Sequence, residues 1–277
     1  MLNICKYYKY HLLSLFLILF IFYQSDGQYN PNVLTIPIKN STGMTTINEF
    51  EYLQNPAQLL LLDSSTISLN YSPSQFGLPE ISPVYFLLAV NIHKNLSLGC
   101  SLYNLGNNLY KEYSGSLHCS FQIADSYFIG CSIKYSTIYI KNYSKDEMLQ
   151  FNLGTLISLT DDLYTGISFN NITRAAYSGG AYTPEQNATI GLGVKLLKDL
   201  FLETNLNLGY NQSSGVSGAI KYIMMDIISV RISVLSNPNT FDAGIRIQAL
   251  PYLSINGELY HEAVLGYSQN YGLSIFW

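Results

Sequence analysis

The sequence predicts an all-β fold: a transmembrane antiparallel up-and-down β-barrel of about fourteen strands, preceded by a short helical plug segment. Three observations predict it. Segments of period two recur from about Thr66 to Trp277, only 12% of the 277 residues are charged while 48% are hydrophobic, and tight connections alternate with longer ones. Successive side chains of a strand point to opposite faces, so a period of two sorts residues onto the two sides of a sheet.

The charge content is about half that of an ordinary soluble domain. Long apolar helices do not account for it. After residue 23 the longest apolar stretch lies near Val84–Val90, far short of the roughly 20 residues a membrane helix needs. Two options remain, a large all-β soluble protein or a closed barrel in lipid. The 24 Tyr and 13 Phe favour the barrel, whose aromatic belts sit at both interfaces. A formal charge of -4 and no basic stripe exclude nucleic acid as a partner.

In chain order, residues 1–27 read as a cleaved secretory signal. Lys6 and Lys9 supply the positive start, Leu12–Tyr23 an apolar core too short to span, and Ser25 and Gly27 small residues before Gln28. Residues 28–64 form the pre-barrel segment. Tyr29–Lys39 reads as extended, since Pro31 and Pro37 block a helix. Ile47, Phe50 and Leu53 have helical spacing, which predicts a short amphipathic helix ending near Gln54. Asn55 can cap a second short helix with Pro56 at its first position and Leu59–Leu62 buried. This stretch is too apolar for a solvated tail. It is expected to fold into the barrel, or against its periplasmic mouth, as a partial plug.

Residues 65–277 form the barrel. The alternation places strands at Ser65–Ser72, Ser82–Ile92, Asn95–Asn104, Leu109–Ala124, Ser126–Lys141, Glu147–Thr160 and Asp162–Ile172, then Asn187–Leu197, Leu200–Tyr210, Gly215–Ile223, Ile227–Leu235, Thr240–Leu250, Tyr252–His261 and Val264–Trp277. Every second connection is tight, around His93-Lys94, Asp125, Asp161, Lys198-Asp199, Met225-Asp226 and Pro251. The others are mostly longer and polar: Pro73–Ile81, Leu105–Asn108, Asn142–Asp146, Thr173–Gln186, Asn211–Ser214 and Ser236–Asn239, with only His261–Ala263 short. Short turns on one rim and loops on the other match the periplasmic and extracellular sides of a membrane barrel.

Parity also assigns the faces. The eighth strand sets Ala188, Ile190, Leu192, Val194 and Leu196 against Gly191, Gly193 and Lys195. The eleventh sets Ile228, Val230, Ile232 and Val234 against Ser229, Arg231 and Ser233, and the twelfth sets Phe241, Ala243, Ile245, Ile247 and Ala249 against Asp242, Gly244, Arg246 and Gln248. Charges fall mainly on the small-residue face. A mid-bilayer Lys or Arg on the lipid side costs about 2–4 kcal/mol, so the small-residue face is the lumen. The expected lumen set is Lys195, Glu203, Lys221, Arg231, Asp242, Arg246 and Glu258. These charges either pair across strands and pack the interior, or form a selectivity lining or a dock for the plug.

Chemistry is sparse. Cys5 departs with the signal, and Cys100, Cys119 and Cys131 share parity with apolar neighbours, as small hydrophobes do. An odd number without CxxC spacing argues against a disulfide framework and a structural zinc site. No histidine pair has metal-ligand spacing, and no cofactor is implied. His118 and Ser120 share a strand face, a spacing also used by outer-membrane lipid esterases, in which His activates Ser toward an ester. Those enzymes display the pair toward lipid. Here Leu117, Cys119 and Phe121 take that face, leaving His118, Ser116 and Ser120 in the lumen, where polar groups hydrogen-bond. The reading is non-enzymatic.

The final segment, Leu265 to Trp277, alternates large apolar with small or polar residues and ends on Phe276 and Trp277. It resembles the closing strand of a bacterial outer-membrane barrel, which implies an outer-membrane location and recognition of these two residues by the barrel-assembly machinery. The run Gly43-Met44-Thr45-Thr46-Ile47 to Tyr52-Leu53-Gln54-Asn55-Pro56-Ala57 resembles the start of the FadL-like superfamily, nearer its PorV/PorQ branch. Gln58 stands where the family commonly has Gly, and the loops are trimmed. The branch resemblance implies a partner role in type IX secretion or surface attachment, with secretion components or cargo as partners besides outer-membrane lipid. The wider superfamily implies passage of hydrophobic small molecules, and it supplies no catalytic residues. The secretion reading is the main expectation. The hydrophobic channel is the alternative and predicts a lateral opening or an apolar pocket beside the plug. A purely structural or adhesive barrel predicts a lumen sealed by side chains.

Overall fold

A computed structural model describes residues 40–178, 184, 186–210 and 214–277. The expected signal at 1–27 and the stretch Tyr29–Lys39 lie outside the described residues. Fourteen strands follow one another: β1 Thr66–Tyr71, β2 Val84–His93, β3 Leu96–Gly106, β4 Tyr110–Ala124, β5 Tyr127–Ile140, β6 Ser144–Thr160, β7 Leu163–Asn170, β8 Asn187–Leu197, β9 Leu200–Gly209, β10 Gly215–Met224, β11 Ile228–Ser236, β12 Asn239–Leu250, β13 Leu253–Glu262 and β14 Gly266–Phe276. Each pairs antiparallel with the next, and β1 closes on β14 from Thr66↔Phe276 to Tyr71↔Tyr271. Among the described residues no helix is long and apolar enough to cross a membrane.

The expected strand limits hold to within a few residues, and the departures have local causes. β6 starts at Ser144 rather than Glu147 because Ile140 to Thr137 keep partners in Ser144 to Glu147. The loop expected at Asn142–Asp146 therefore shrinks to a turn. On that rim the long connections are 72–83 and 171–186. Five of the tight turns on the other rim are preceded by a register shift, at Asn91/His93, Gln122/Ala124, Ser158/Thr160, Lys195/Leu197 and Gln248/Leu250. A bulge of this kind turns the following side chain to the other face. Leu196, expected toward lipid, is accordingly buried, and Leu197 is exposed.

Away from the bulges the faces follow parity. Arg231 and Ser233 are buried while Ile232 between them is 52% exposed, and Asp242 is buried beside an exposed Phe241. Leu, Ile and Tyr are exposed around the whole circumference, from Leu69 on β1 through Leu117, Leu153, Ile190 and Ile245 to Leu273 on β14. An apolar belt of that extent on a sheet without free edges belongs in hydrocarbon, where it meets acyl chains and every backbone group is paired. The cysteines lie on this face, free, with Cys119 directly across from Cys131.

The pre-barrel segment departs from expectation in one respect. It forms two short 3₁₀ helices, Glu49–Gln54 and Pro56–Leu61, each capped by an asparagine whose side chain accepts a backbone N–H, Asn48 from Phe50 and Asn55 from Ala57. The first is not an amphipathic helix with a wet face. Glu49 and Glu51 are as buried as Phe50, because the segment lies inside the barrel, with polar walls on the side where water would be. Of Leu59–Leu62, Leu59 and Leu62 are buried and the two between are half-buried.

Replacing Ile232 by arginine should cost about 2–4 kcal/mol of stability in a bilayer, read from denaturant unfolding in lipid vesicles. The neighbouring Ser229→Ala, on the lumen side, should change it by less than about 1 kcal/mol.

Candidate functional site: a segment docked in the lumen

Residues 40–62 lie against the inner wall, and three kinds of contact hold them. The first is a bed of glycines. Gly130 on β5 faces Gly154 on β6, and Gly166 on β7 faces Gly191 on β8. A Cβ at Gly130 would collide with the backbone of Pro56 and Ala57, at Gly154 with Asn55 Oδ1, at Gly166 with the Ser41 carbonyl, and at Gly191 with Ser41 Oγ. Only a wall without side chains lets another backbone come this close. Asn55 fastens the contact: Oδ1 accepts from Ala57 N at 3.1 Å, while Nδ2 donates to the carbonyls of Ser41 at 2.7 Å and Thr155 at 3.0 Å. The Ser120 hydroxyl donates to the Ala57 carbonyl at 2.8 Å. The Asn55-Pro56-Ala57 turn is thus wholly internal.

The second is a charged wall opposite. Glu203 on β9 accepts the backbone N–H groups of Ser41 and Thr42, each at 3.0 Å, and the Thr45 hydroxyl at 3.1 Å. Lys221 on β10 donates to the Thr46 carbonyl at 3.2 Å. Arg231 on β11 joins segment to barrel: Nη1 reaches Glu51 at 2.5 Å, Nε and Nη2 reach Asp242 at 3.1 and 2.9 Å, and Nη2 stands 3.5 Å from Glu258. Asn48 Nδ2 donates to Glu258 at 2.8 Å. Arg246 Nη1 lies 2.8 Å from Glu49, close enough for an ion pair though off the hydrogen-bond angle. Glu49 also accepts the Ser274 hydroxyl. Arg231, Glu51 and Asp242 are each 1% exposed, so these charges are held by partners rather than water. Burial pushes the Glu51 carboxyl above the usual carboxylate range, and the Arg231 guanidinium pulls against that shift.

The third is apolar. Phe50, Leu59 and Leu62 pack on Leu87 and Ala89 of β2, with Tyr52, Leu53 and Tyr85 around them. Phe50 meets Tyr85 edge-on at 5.7 Å, and Tyr85 lies 4.8 Å from Tyr103. Here three successive inward positions of one strand, Tyr85, Leu87 and Ala89, are aromatic or apolar.

The structure brings Glu203, Lys221, Arg231, Asp242, Arg246 and Glu258 onto one wall. It leaves Lys195 aside, half-buried at the β8 bulge, with no side-chain hydrogen bond or ion pair among the described residues. His118 is in the lumen with Nε2 3.1 Å from Ser101 Oγ; Ser120 is bonded to Ala57 instead, so the two do not form a His–Ser pair. Glu49, Glu51 and the glycine bed were not anticipated. Two acids two apart in an otherwise uncharged apolar stretch were the available signal. Among the described residues no cluster of three or more His, Cys, Asp or Glu could hold a metal.

The wall is lower in two places. β6 above Leu153 lacks a β7 partner, and loop atoms replace it: Ile172 N bonds Phe151 O at 3.0 Å and Ser178 N bonds Glu147 O at 3.1 Å. β14 above Tyr271 lacks a β1 partner, because β1 ends at Tyr71. There the connection 72–83 leans inward, donating Phe76 N to Ser268 Oγ at 2.7 Å and setting Phe76 edge-on to Tyr260 at 6.2 Å. Among the described residues this is the one hydrogen bond between that connection and the β14 edge.

No protein-family profile and no curated protein matches the sequence. Solved structures do. The toluene transporter TodX of P. putida aligns with a TM-score of 0.62 at 10% identity over 86% of this chain and 96% of its own. The monoaromatic hydrocarbon channel CymD aligns at 0.60 and 10%, over 83% and 93%. A FadL homologue of Pseudomonas aeruginosa aligns at 0.56 and 12%, over 84% and 95%. The chain has the fold of FadL-type barrels. At these identities the likeness extends to the fold alone, and the PorV/PorQ branch is not among the structures named.

Arg231→Ala would leave the buried carboxylates Glu51, Asp242 and Glu258 without their cation and should cost about 3–5 kcal/mol, read from unfolding in vesicles. Gly154→Val should expel the Asn55 turn while the barrel stays folded. Limited proteolysis should then cut within 40–62, which wild type protects.

Proposed function

We propose that this protein is a bacterial outer-membrane barrel through which small hydrophobic molecules pass. The observation that carries the reading is the pairing of an occluded lumen with a weakly closed wall. The docked segment fills the polar interior around Arg231, which leaves no reason to expect an open aqueous bore. The β14 edge above Tyr271 is covered by a connection joined to that edge, among the described residues, by one hydrogen bond. Beside it lies the aromatic surface of Tyr85 and Tyr103, both half-buried. An apolar solute entering from the loop rim would meet that surface and leave sideways past Phe76 into the bilayer, without crossing the charged wall. The FadL-type fold supports the same reading, since the structures it resembles include a toluene transporter and a monoaromatic hydrocarbon channel.

The secretion or surface-attachment role has less support. Its sequence basis, the Asn55-Pro56-Ala57 turn, is buried against Gly130 and Gly154, so it has a structural task inside this barrel and offers no surface to a secretion partner.

Uptake of a radiolabelled monoaromatic hydrocarbon into cells should rise several-fold on expression of the protein. Tethering Phe76→Cys to Ser268→Cys under oxidation, with Cys100, Cys119 and Cys131 replaced by alanine, should abolish the gain, and reduction should restore it. Uptake indifferent to the tether would sink the lateral route, and uptake equal to that of cells without the protein would sink the function.

A further inference from the structure

We propose that the outward face of β4–β6 at the loop rim is a docking surface for the phosphate groups of an outer-leaflet glycolipid. This rests on the reading that the barrel spans an outer membrane.

Parity puts Lys111 on the outward face of β4, the side that shows Tyr113, Leu117 and Phe121 to the outside. Lys111 pairs across the sheet with Tyr139 of β5, and Tyr139 pairs with Lys145 of β6. One lysine therefore stands on each side of one tyrosine, and Lys141 follows just beyond the end of β5. With neighbouring strands about 4.8 Å apart, the outer two backbones are about 10 Å from each other, within reach of one phosphorylated headgroup for side chains as long as lysine. Lys145 pairs with Glu147, whereas Lys111 and Lys141 have no ion-pair partner among the described residues. The group carries a surplus of two positive charges.

Height decides what such a group can meet. β4 to β6 are the tallest strands, at 15, 14 and 17 residues, where 9–11 suffice to cross a membrane. Lys111 lies thirteen residues above Ala124 on the turn rim, which at a tilt near 40° is roughly 34 Å of height. The apolar band of such barrels is about 25 Å tall, so the lysines stand above the acyl chains, at headgroup level. Tyr113, Tyr135, Tyr139 and Tyr143 are exposed around them, as aromatic rings at a membrane interface are. At the opposite rim, among the described residues, the turns carry Asp125, Asp161, Asp162, Asp199 and Asp226, with Lys94 and Lys198 on separate turns. A cluster of outward cations on the loop rim alone is complementary to an anionic lipid found in that leaflet.

The test is native mass spectrometry of the detergent-solubilised barrel offered diphosphorylated lipid A or its dephosphorylated form. Wild type should retain the diphosphorylated lipid preferentially. Lys141→Gln alone, at an exposed strand end, should weaken retention about fivefold, and K111Q/K141Q/K145Q at least tenfold. Lys94→Gln with Lys198→Gln on the turn rim should leave it unchanged. Heat-modifiable migration on gels confirms that each variant is folded. Equal retention of the two lipids, wild-type retention by the triple variant, or displacement by millimolar inorganic phosphate would each overturn the proposal. A barrel recovered without detergent would instead overturn the membrane reading on which it rests.

Discussion

Within hydrocarbon no backbone N–H or C=O can be left without a partner, and this requirement organises the molecule. A sheet satisfies it only by closing, and here closure is the six-residue ladder between β1 and β14. Once the sheet is closed, its two faces are unequal solvents. One row of side chains meets acyl chains and becomes predominantly apolar. The other is shut inside, where Ser, Asn and the strand charges collect. Where the ladder stops short, above Tyr271, the requirement must be met by something other than a strand, and the connection 72–83 lies there. This gap in the strand ladder and the candidate exit are therefore the same place, for the same physical reason.

The interior poses a second problem. A polar lumen lined with Arg231, Lys221, Arg246, Glu203, Asp242 and Glu258 cannot simply be sealed, because charges removed from water need close partners. The segment 40–62 supplies them. Glu49 and Glu51 answer the two arginines, and the backbone of Ser41 and Thr42 answers Glu203. On the far side the glycine bed lets the same segment press against the wall without side chains between. The result is a docked element held by polar contacts on two sides and by the Phe50–Leu87 cluster on a third. Such an arrangement specifies one position well, since shifting the segment by a residue would break the Arg231 pairs and drive Asn55 off Gly154.

Much of this was legible in the residues. The alternation from Thr66 to Trp277 located the strands because a period of two has one meaning in a half-buried sheet. The lumen charges followed from the same parity, as did the inward direction of His118. Asn55 before Pro56 announced the second 3₁₀ helix. Other features were not legible. Bulges such as that at Lys195/Leu197 depend on turn geometry, and one inserted residue sends Leu196 to the opposite face. The length of β6 depended on whether Ser144 to Glu147 found partners on β5. The buried state of Glu49 and Glu51 was hidden because a helical hydrophobic pattern assumes water on its polar side, and the barrel wall stands there instead.

Local pattern determined the strands, their faces, the caps and the apolar outer belt, because each depends on residues two to four apart that share one backbone conformation. The tertiary structure decided which wall receives the pre-barrel segment, which acids answer Arg231, and where β1 leaves β14 uncovered. Those are meetings of residues separated by as many as 225 positions, as between Ser274 and Glu49. No periodicity encodes such a meeting; it exists only once closure has brought the two ends of the chain together.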